Sequence, residues 1–107
     1  MREKIHSYLG FAKRSGNLIS GYNSCLYSIK RGTAHLLLLT EDLSDNTKKK
    51  FLNVAESANL NLRIFGDKET MQEMTGEIGR GIYVITEENL AKAVLREIDG
   101  SGQSDEE

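Results

Sequence analysis

Residues 17–50 read NLISGYNSCLYSIKRGTAHLLLLTEDLSDNTKKK, and this stretch decides the fold. Leu18, Ile19 and Ser20 make a short strand that Gly21 breaks. From Tyr22 to Arg31 the spacing of Tyr22, Leu26 and Ile29 puts one apolar face on a helix that stops at Gly32. Leu36 to Leu39 is apolar at every position, where a half-exposed strand would alternate. Such a strand is expected to be covered on both faces, in the middle of a sheet flanked by helices. Ser44 is a good N-cap with Asp45 in the first turn. The helix it opens is expected to run to about Asn59 and to turn Thr47, Phe51, Val54, Ala55 and Ala58 inward.

Outward from this stretch the alternation continues. Before it, Ile5, Tyr8, Leu9 and Ala12 recur at helical spacing, and Lys13, Arg14 and Gly16 close an amphipathic helix that starts near Arg2. After it, Leu62 to Phe65 reads as a third strand, and Asp67 caps a short helix carrying Met71 and Met74. A glycine-rich loop, Thr75 to Gly81, leads to a fourth strand at Ile82 to Ile85. Thr86 then caps a last helix, with Leu90, Ala91, Val94, Leu95 and Ile98 facing inward. Helices alternating with short strands predict an α/β fold, a three-layer α/β/α sandwich. One domain is expected over residues 1–98, with a polar, acidic, Gly/Ser-rich disordered tail over 99–107.

A chain of 107 residues holds one core. No run approaches the ~20 apolar residues of a membrane span, and the opening MREKIHSYLG lacks the apolar stretch of a signal peptide. One cysteine allows no internal disulfide, which fits a reducing compartment. The expectation is a cytoplasmic protein with no membrane partner. The net charge of −2 hides an asymmetry, with nine Lys and Arg against four Asp and Glu up to Lys50, then five against twelve. A basic half of this kind suits a polyanion, although a solvated surface explains it as well.

The candidate site residues follow from that half. A chain that leaves a strand at Gly21 and enters a helix presents free amides to an anion, with Asn23 in the first turn. Gly21 also fits an ordinary strand–helix turn, and Asn23 a capping role. Lys13, Arg14, Lys30 and Arg31 either attract phosphate or complement helix C-termini. Tyr22 and Tyr27 can stack on bases, though Tyr22 fits the buried face of its helix. Lys48, Lys49 and Lys50 read as a solvated helix face. Glu41 and Asp42 have no nearby third ligand and suit loop capping better than metal binding. Cys25 with His6 or His35 is the one route to a nucleophilic enzyme, and no carboxylate is spaced to orient the histidine. The loop with Gly76, Gly79 and Gly81 lacks the Gly-Lys-Ser/Thr ending of a P-loop and precedes a strand, so no nucleotide cofactor is expected.

Two stretches, LGFAKRSGNLISG (Leu9 to Gly21) and IKRGTAHLLLLTEDLSDNTKKK (Ile29 to Lys50), resemble the ribosomal protein superfamily of large-subunit proteins seven-Ae and thirty-e. EIGRGIYVI (Glu77 to Ile85) adds a weaker match, and the whole is most similar to the superfamily's small bacterial, YlxQ-like branch. The resemblance covers Leu9 to about Leu95. It implies a four-stranded mixed sheet between helices and binding to a kink-turn or similar internal-loop RNA. Carried over by position, it implies that Gly21 permits close backbone approach and Asn23 contacts the RNA, with Ser24 beside it and Glu41 and Asp42 at the neighbouring strand exit. It also implies a second contact loop formed by Glu77, Ile78, Gly79 and Arg80. The family's kink-turn binders usually have Asn-Glu or Lys-Gln where this chain has Asn23 and Ser24, and a lysine where it has Tyr27.

The expectation is therefore a non-enzymatic RNA-binding protein, monomeric when free, for ribosomal or other kink-turn-like RNA, with the ribosome among its candidate partners and no cofactor or metal. The alternative is a protein–protein adaptor of the same fold that has lost specific RNA affinity. Ser24, Tyr27 and the acidic tail favour it.

Overall fold

A computed structural model describes residues 2–100. Five helices and four strands alternate: α1 (Arg2–Arg14), β1 (Leu18–Ser20), α2 (Tyr22–Arg31), β2 (Leu36–Leu39), α3 (Asp45–Ser57), β3 (Leu62–Ile64), α4 (Lys68–Thr75), β4 (Ile82–Ile85) and α5 (Glu88–Gly100). The strands form one mixed sheet in the order β1-β4-β2-β3. β4 is antiparallel to β1 and to β2, with Ser20 opposite Tyr83 and Leu39 opposite Ile82. β2 and β3 are parallel, with Leu37 opposite Leu62.

The uninterrupted leucines of β2 have the expected cause. Leu36 and Leu38 pack with Ile5, Leu9, Met71, Tyr83 and Val94, in the layer built by α1, α4 and α5. Leu37 and Leu39 point the other way, into a second cluster with Cys25, Ile29, Phe51, Ala55 and Val84 beneath α2 and α3. Successive side chains of a strand alternate between faces, so a strand with helices on both sides must be apolar throughout. The expected α/β/α sandwich is the observed one, with a four-stranded mixed sheet.

Several local readings change. Tyr22 does not join the buried face of α2. Cys25, Ser28 and Ile29 form that face, and Tyr22 is 43% exposed, its ring edge-on to Phe51 at 5.1 Å between centroids. A helix that begins at Tyr22 is rotated so that the smaller Cys25 lies against the sheet. α3 ends at Ser57, which leaves Ala58 exposed, and Asn59 takes a positive φ of 55°. α5 is capped by Glu87, whose carboxylate accepts from the Leu90 amide at 2.7 Å and the Asn89 amide at 3.1 Å. Thr86 is instead tied to Asn17, its amide donating to the Asn17 carbonyl. The expected tail boundary at Asp99 falls inside α5, because the Asp99 carboxylate takes both nitrogens of an Arg63 fork at 2.8 Å. The rest of the expected tail, residues 101–107, lies outside the described residues.

Candidate nucleic-acid interface

Gly21 sits where the backbone must turn from β1 into α2 without a pause. Its φ of 101° and ψ of 157° belong to a region that only glycine occupies without strain. Its amide donates to the Ile82 carbonyl, which fastens the turn to the sheet. Its lack of a Cβ also has a use, since a Cβ there would lie 3.1 Å from Nη1 of Arg80. The guanidinium of Arg80 is thereby laid against the start of α2.

That start has no side-chain cap. The other helices behind strands behave differently: Ser44 accepts from the Thr47 amide at the head of α3, and Asp67 from the Thr70 amide at the head of α4. At α2 the first-turn amides stay available to an outside acceptor, at the end of the helix where the dipole favours negative charge. Asn23 and Ser24 are exposed there.

The loop between α4 and β4 comes alongside. Glu77 is half-buried, with its carboxylate paired to Lys13 and accepting from the Ser20 hydroxyl at 2.8 Å. Its amide donates to Thr75 Oγ1 at 3.1 Å. Tyr83, buried beneath, donates its hydroxyl to the Arg80 carbonyl at 3.2 Å, and burial pushes that phenol above its ordinary pKa, so it stays protonated. Gly81 is pressed against the β2 exit, where a Cβ would come within 2.7 Å of Leu43 Cδ2 and Thr40 Oγ1. Ile78 is left at the tip, 76% exposed. A shallow cleft of about 180 Å3 runs between the loop and the α2 start, lined among others by Gly21, Tyr22, Gly79, Arg80, Leu43 and Lys68.

Of the residues singled out in the sequence, Gly21, Tyr22, Gly79 and Arg80 thus line one cleft, with Asn23 and Ser24 on the adjoining first turn. The basic candidates do not gather with them. Lys13 is engaged by Glu77, and Arg14 folds back along α1 with Nη1 3.2 Å from where a Cβ of Gly10 would be. Lys30 borders a separate groove between α2 and α3. Arg31 turns onto Tyr27, its guanidinium 5.5 Å from the ring centroid and donating to the phenol oxygen at 3.2 Å, so one face of this 62% exposed ring is occupied. At the β2 exit the Glu41 carbonyl accepts from Lys48 Nζ at 2.7 Å, while Asp42 accepts from the Lys68 amide at 3.3 Å. Asp42 therefore serves as a loop brace.

Lys68, Leu43 and Thr47 line the cleft and were not expected there. One signal pointed to Lys68, a cation in the first turn of α4, at the helix end that disfavours positive charge.

Cys25 is fully buried on α2, its Sγ 3.4 Å from the Ile19 carbonyl and 3.5 Å from that of Ile82. Burial pushes its thiol up to about 12, so it carries no thiolate near neutral pH. His6 lies on α1, across the sheet, and His35 bonds to Ile85 at the other end of β4. Neither can act as its base. No helix among the described residues is long and apolar enough to cross a membrane.

Comparisons with known proteins agree with this architecture. The chain is 26% identical over 91 residues to the RNA-binding protein YlxQ of Bacillus subtilis, spanning 85% of this chain and 91% of that relative. It is 29% identical over 100 residues to the RNA-binding protein YlxQ of Enterococcus faecium, spanning 92% and 95% of the two. A solved structure of a Bacillus halodurans protein of unknown function superposes with a TM-score of 0.86 at 24% identity, covering 90% of this chain and 97% of that one. At that identity the superposition speaks for the fold. Residues 3–95 match the pattern of the Ribosomal protein L7Ae/L30e/S12e/Gadd45 family, and the chain belongs to that family.

Proposed function

We propose that this protein binds structured RNA without catalysing a reaction, and that its target is a kinked internal loop of the kink-turn type. The observation that carries the reading is the uncapped start of α2, set in one cleft with Arg80 and Lys68. Exposed amides, a dipole end and two cations make a site for a bent phosphate backbone. The Asn23 and Ser24 side chains on the same turn provide hydrogen-bonding groups for base edges. Ile78 at the neighbouring loop tip offers an apolar surface to an extruded base. The relatives named as RNA-binding proteins support the same class of partner. In this reading the protein works in the cytoplasm as a free monomer that docks on ribosomal or other RNA.

The test is a titration of a kink-turn RNA, and of the same RNA with its sheared pairs disrupted, at two salt concentrations. Tight binding to the first alone is the expected result. Equal and steeply salt-dependent binding to both would reduce the site to a basic patch. A second reading, a protein–protein adaptor, draws on the open groove of about 470 Å3 between α2 and α3, floored by Ile29, Val54 and Ala58 and edged by Lys30 and Lys50. Binding to neither RNA would favour it.

A further inference from the structure

The Gly76 amide closes α4 on the Gln72 carbonyl, and the loop that follows to Gly81 is fastened at three further positions. Gly81 is wedged against Leu43 and Thr40, and Arg80 is held by the Tyr83 hydroxyl and rests on Gly21. Glu77 is held from two directions, by Lys13 at the end of α1 and by Ser20 at the end of β1. Ser20 immediately precedes Gly21. The contacts therefore close a ring: Ser20 to Gly21 along the chain, Gly21 to Arg80 through space, Arg80 back along the loop to Glu77, and Glu77 to Ser20. Ile78 and Gly79 are the two residues lifted clear of it.

A carboxylate beside a phosphate backbone would oppose binding. The Glu77 carboxylate, however, is 23% exposed and has both oxygens engaged inside the protein, Oε1 by Ser20 and Oε2 by Lys13. We propose that Glu77 is a positioning residue for RNA binding rather than an RNA contact. It neutralises Lys13, locks the loop to the β1–α2 turn, and so sets Ile78 and Arg80 in place before the RNA arrives. Lys13 acts in this clamp and not as a phosphate ligand. The inference rests on the RNA-binding reading above. Its gain comes from ordering the loop in advance, since a loop ordered only on binding subtracts from affinity.

Sign separates the two roles. If Glu77 acted only through its charge, Glu77→Ala would tighten binding to a polyanion. As a clamp, Glu77→Ala weakens binding to kink-turn RNA roughly three- to tenfold. It also speeds hydrogen exchange across residues 76–81 in the free protein, with the far-UV circular dichroism unchanged. Glu77→Gln keeps the acceptor for Ser20 and falls between. The exchanged pair, Lys13→Glu with Glu77→Lys, restores part of the slow loop exchange in the free protein, as a purely steric role would not. Tighter RNA binding by Glu77→Ala, or loop exchange indistinguishable from wild type, overturns the proposal. Should Glu77→Ala fail to fold, Ser20→Ala and Glu77→Gln each remove one arm and read the same two quantities. If wild-type protein binds no RNA, the proposed function fails, and exchange in the free protein decides the clamp alone: faster exchange supports it and unchanged exchange overturns it.

Discussion

The starts of α2 and α3 face the same cleft and are built in opposite ways. α3 opens with Ser44, whose hydroxyl accepts from the Thr47 amide at 3.2 Å, and the Lys48 ammonium reaches back to the Glu41 carbonyl at 2.7 Å. That end has a side-chain cap. α2 opens with a glycine at φ 101° and no side chain to accept from its first turn. The two helices rest on one apolar cluster, so the difference is local. One start carries its own side-chain acceptor, and the other leaves its first-turn amides without one.

Removing what the two starts share gives the largest effect. Phe51 belongs to α3, fills the cluster below both helices and supports the Tyr22 ring edge-on. Phe51→Ala is expected to lower folding stability by about 3–5 kcal/mol in urea denaturation and to weaken RNA binding as well. Loss of stability with unaltered affinity would show that the α2 start does not depend on the core beneath it.

Gly21→Ala acts on one start alone. It places a side chain in a glycine-only region and pushes on Arg80, for an expected loss of about 1–3 kcal/mol in the same denaturation. RNA affinity is expected to fall as well, because Arg80 must shift.

A crossed pair of substitutions sharpens the contrast. Ser44→Ala is expected to lower stability by about 1 kcal/mol and leave RNA affinity as it was. Asn23→Ala is expected to leave stability within about 0.5 kcal/mol and to weaken the specific RNA complex by about 1–3 kcal/mol. An Asn23→Ala variant that loses affinity equally for all RNAs would deny Asn23 a part in specificity.

The smallest effect belongs to a site that involves neither start. The hydrogen bond from Arg63 holds the Asp99 carboxyl below its ordinary pKa. The folded state therefore favours the ionised form. Its contribution is present above about pH 4, the unfolded carboxylate value, and is lost as pH falls through the lower folded value. The pair is largely exposed, so Asp99→Asn is expected to lower stability at pH 7 by at most about 1 kcal/mol. That difference should vanish in strong acid.

How much of this the sequence discloses depends on how far apart the partners lie. The four leucines of β2 announce a central strand because their neighbours in the chain suffice to show that no face is polar. Ser44 and Asp67 announce their helices because a cap and its amide are three residues apart. Gly21 and Asn23 stand out for the same local reason, at a helix start without an acceptor. The fate of the cations is not local. Lys13 meets Glu77 across the fold and Arg31 meets Tyr27 on its own helix, so charge counting alone overstates the basic surface. Lys68 enters the cleft only because α4 begins beside the β2 exit. Periodicity places Tyr22 inward because it ranks residues by size and apolarity, whereas the 10-residue α2 turns its cysteine inward.

That cysteine gives the fold a chemical timer. It is the sole thiol of the chain, sealed between the helix proposed to meet RNA and the carbonyls of β1 and β4. A thiol reagent can reach it only when α2 lifts from the sheet, so the labelling rate of the unaltered protein reports how often that helix detaches. A ligand seated on the α2 start should slow the labelling in proportion to its occupancy. The molecule thus carries its own reporter beneath the surface whose role is in question, and reading it needs neither a mutation nor an attached dye.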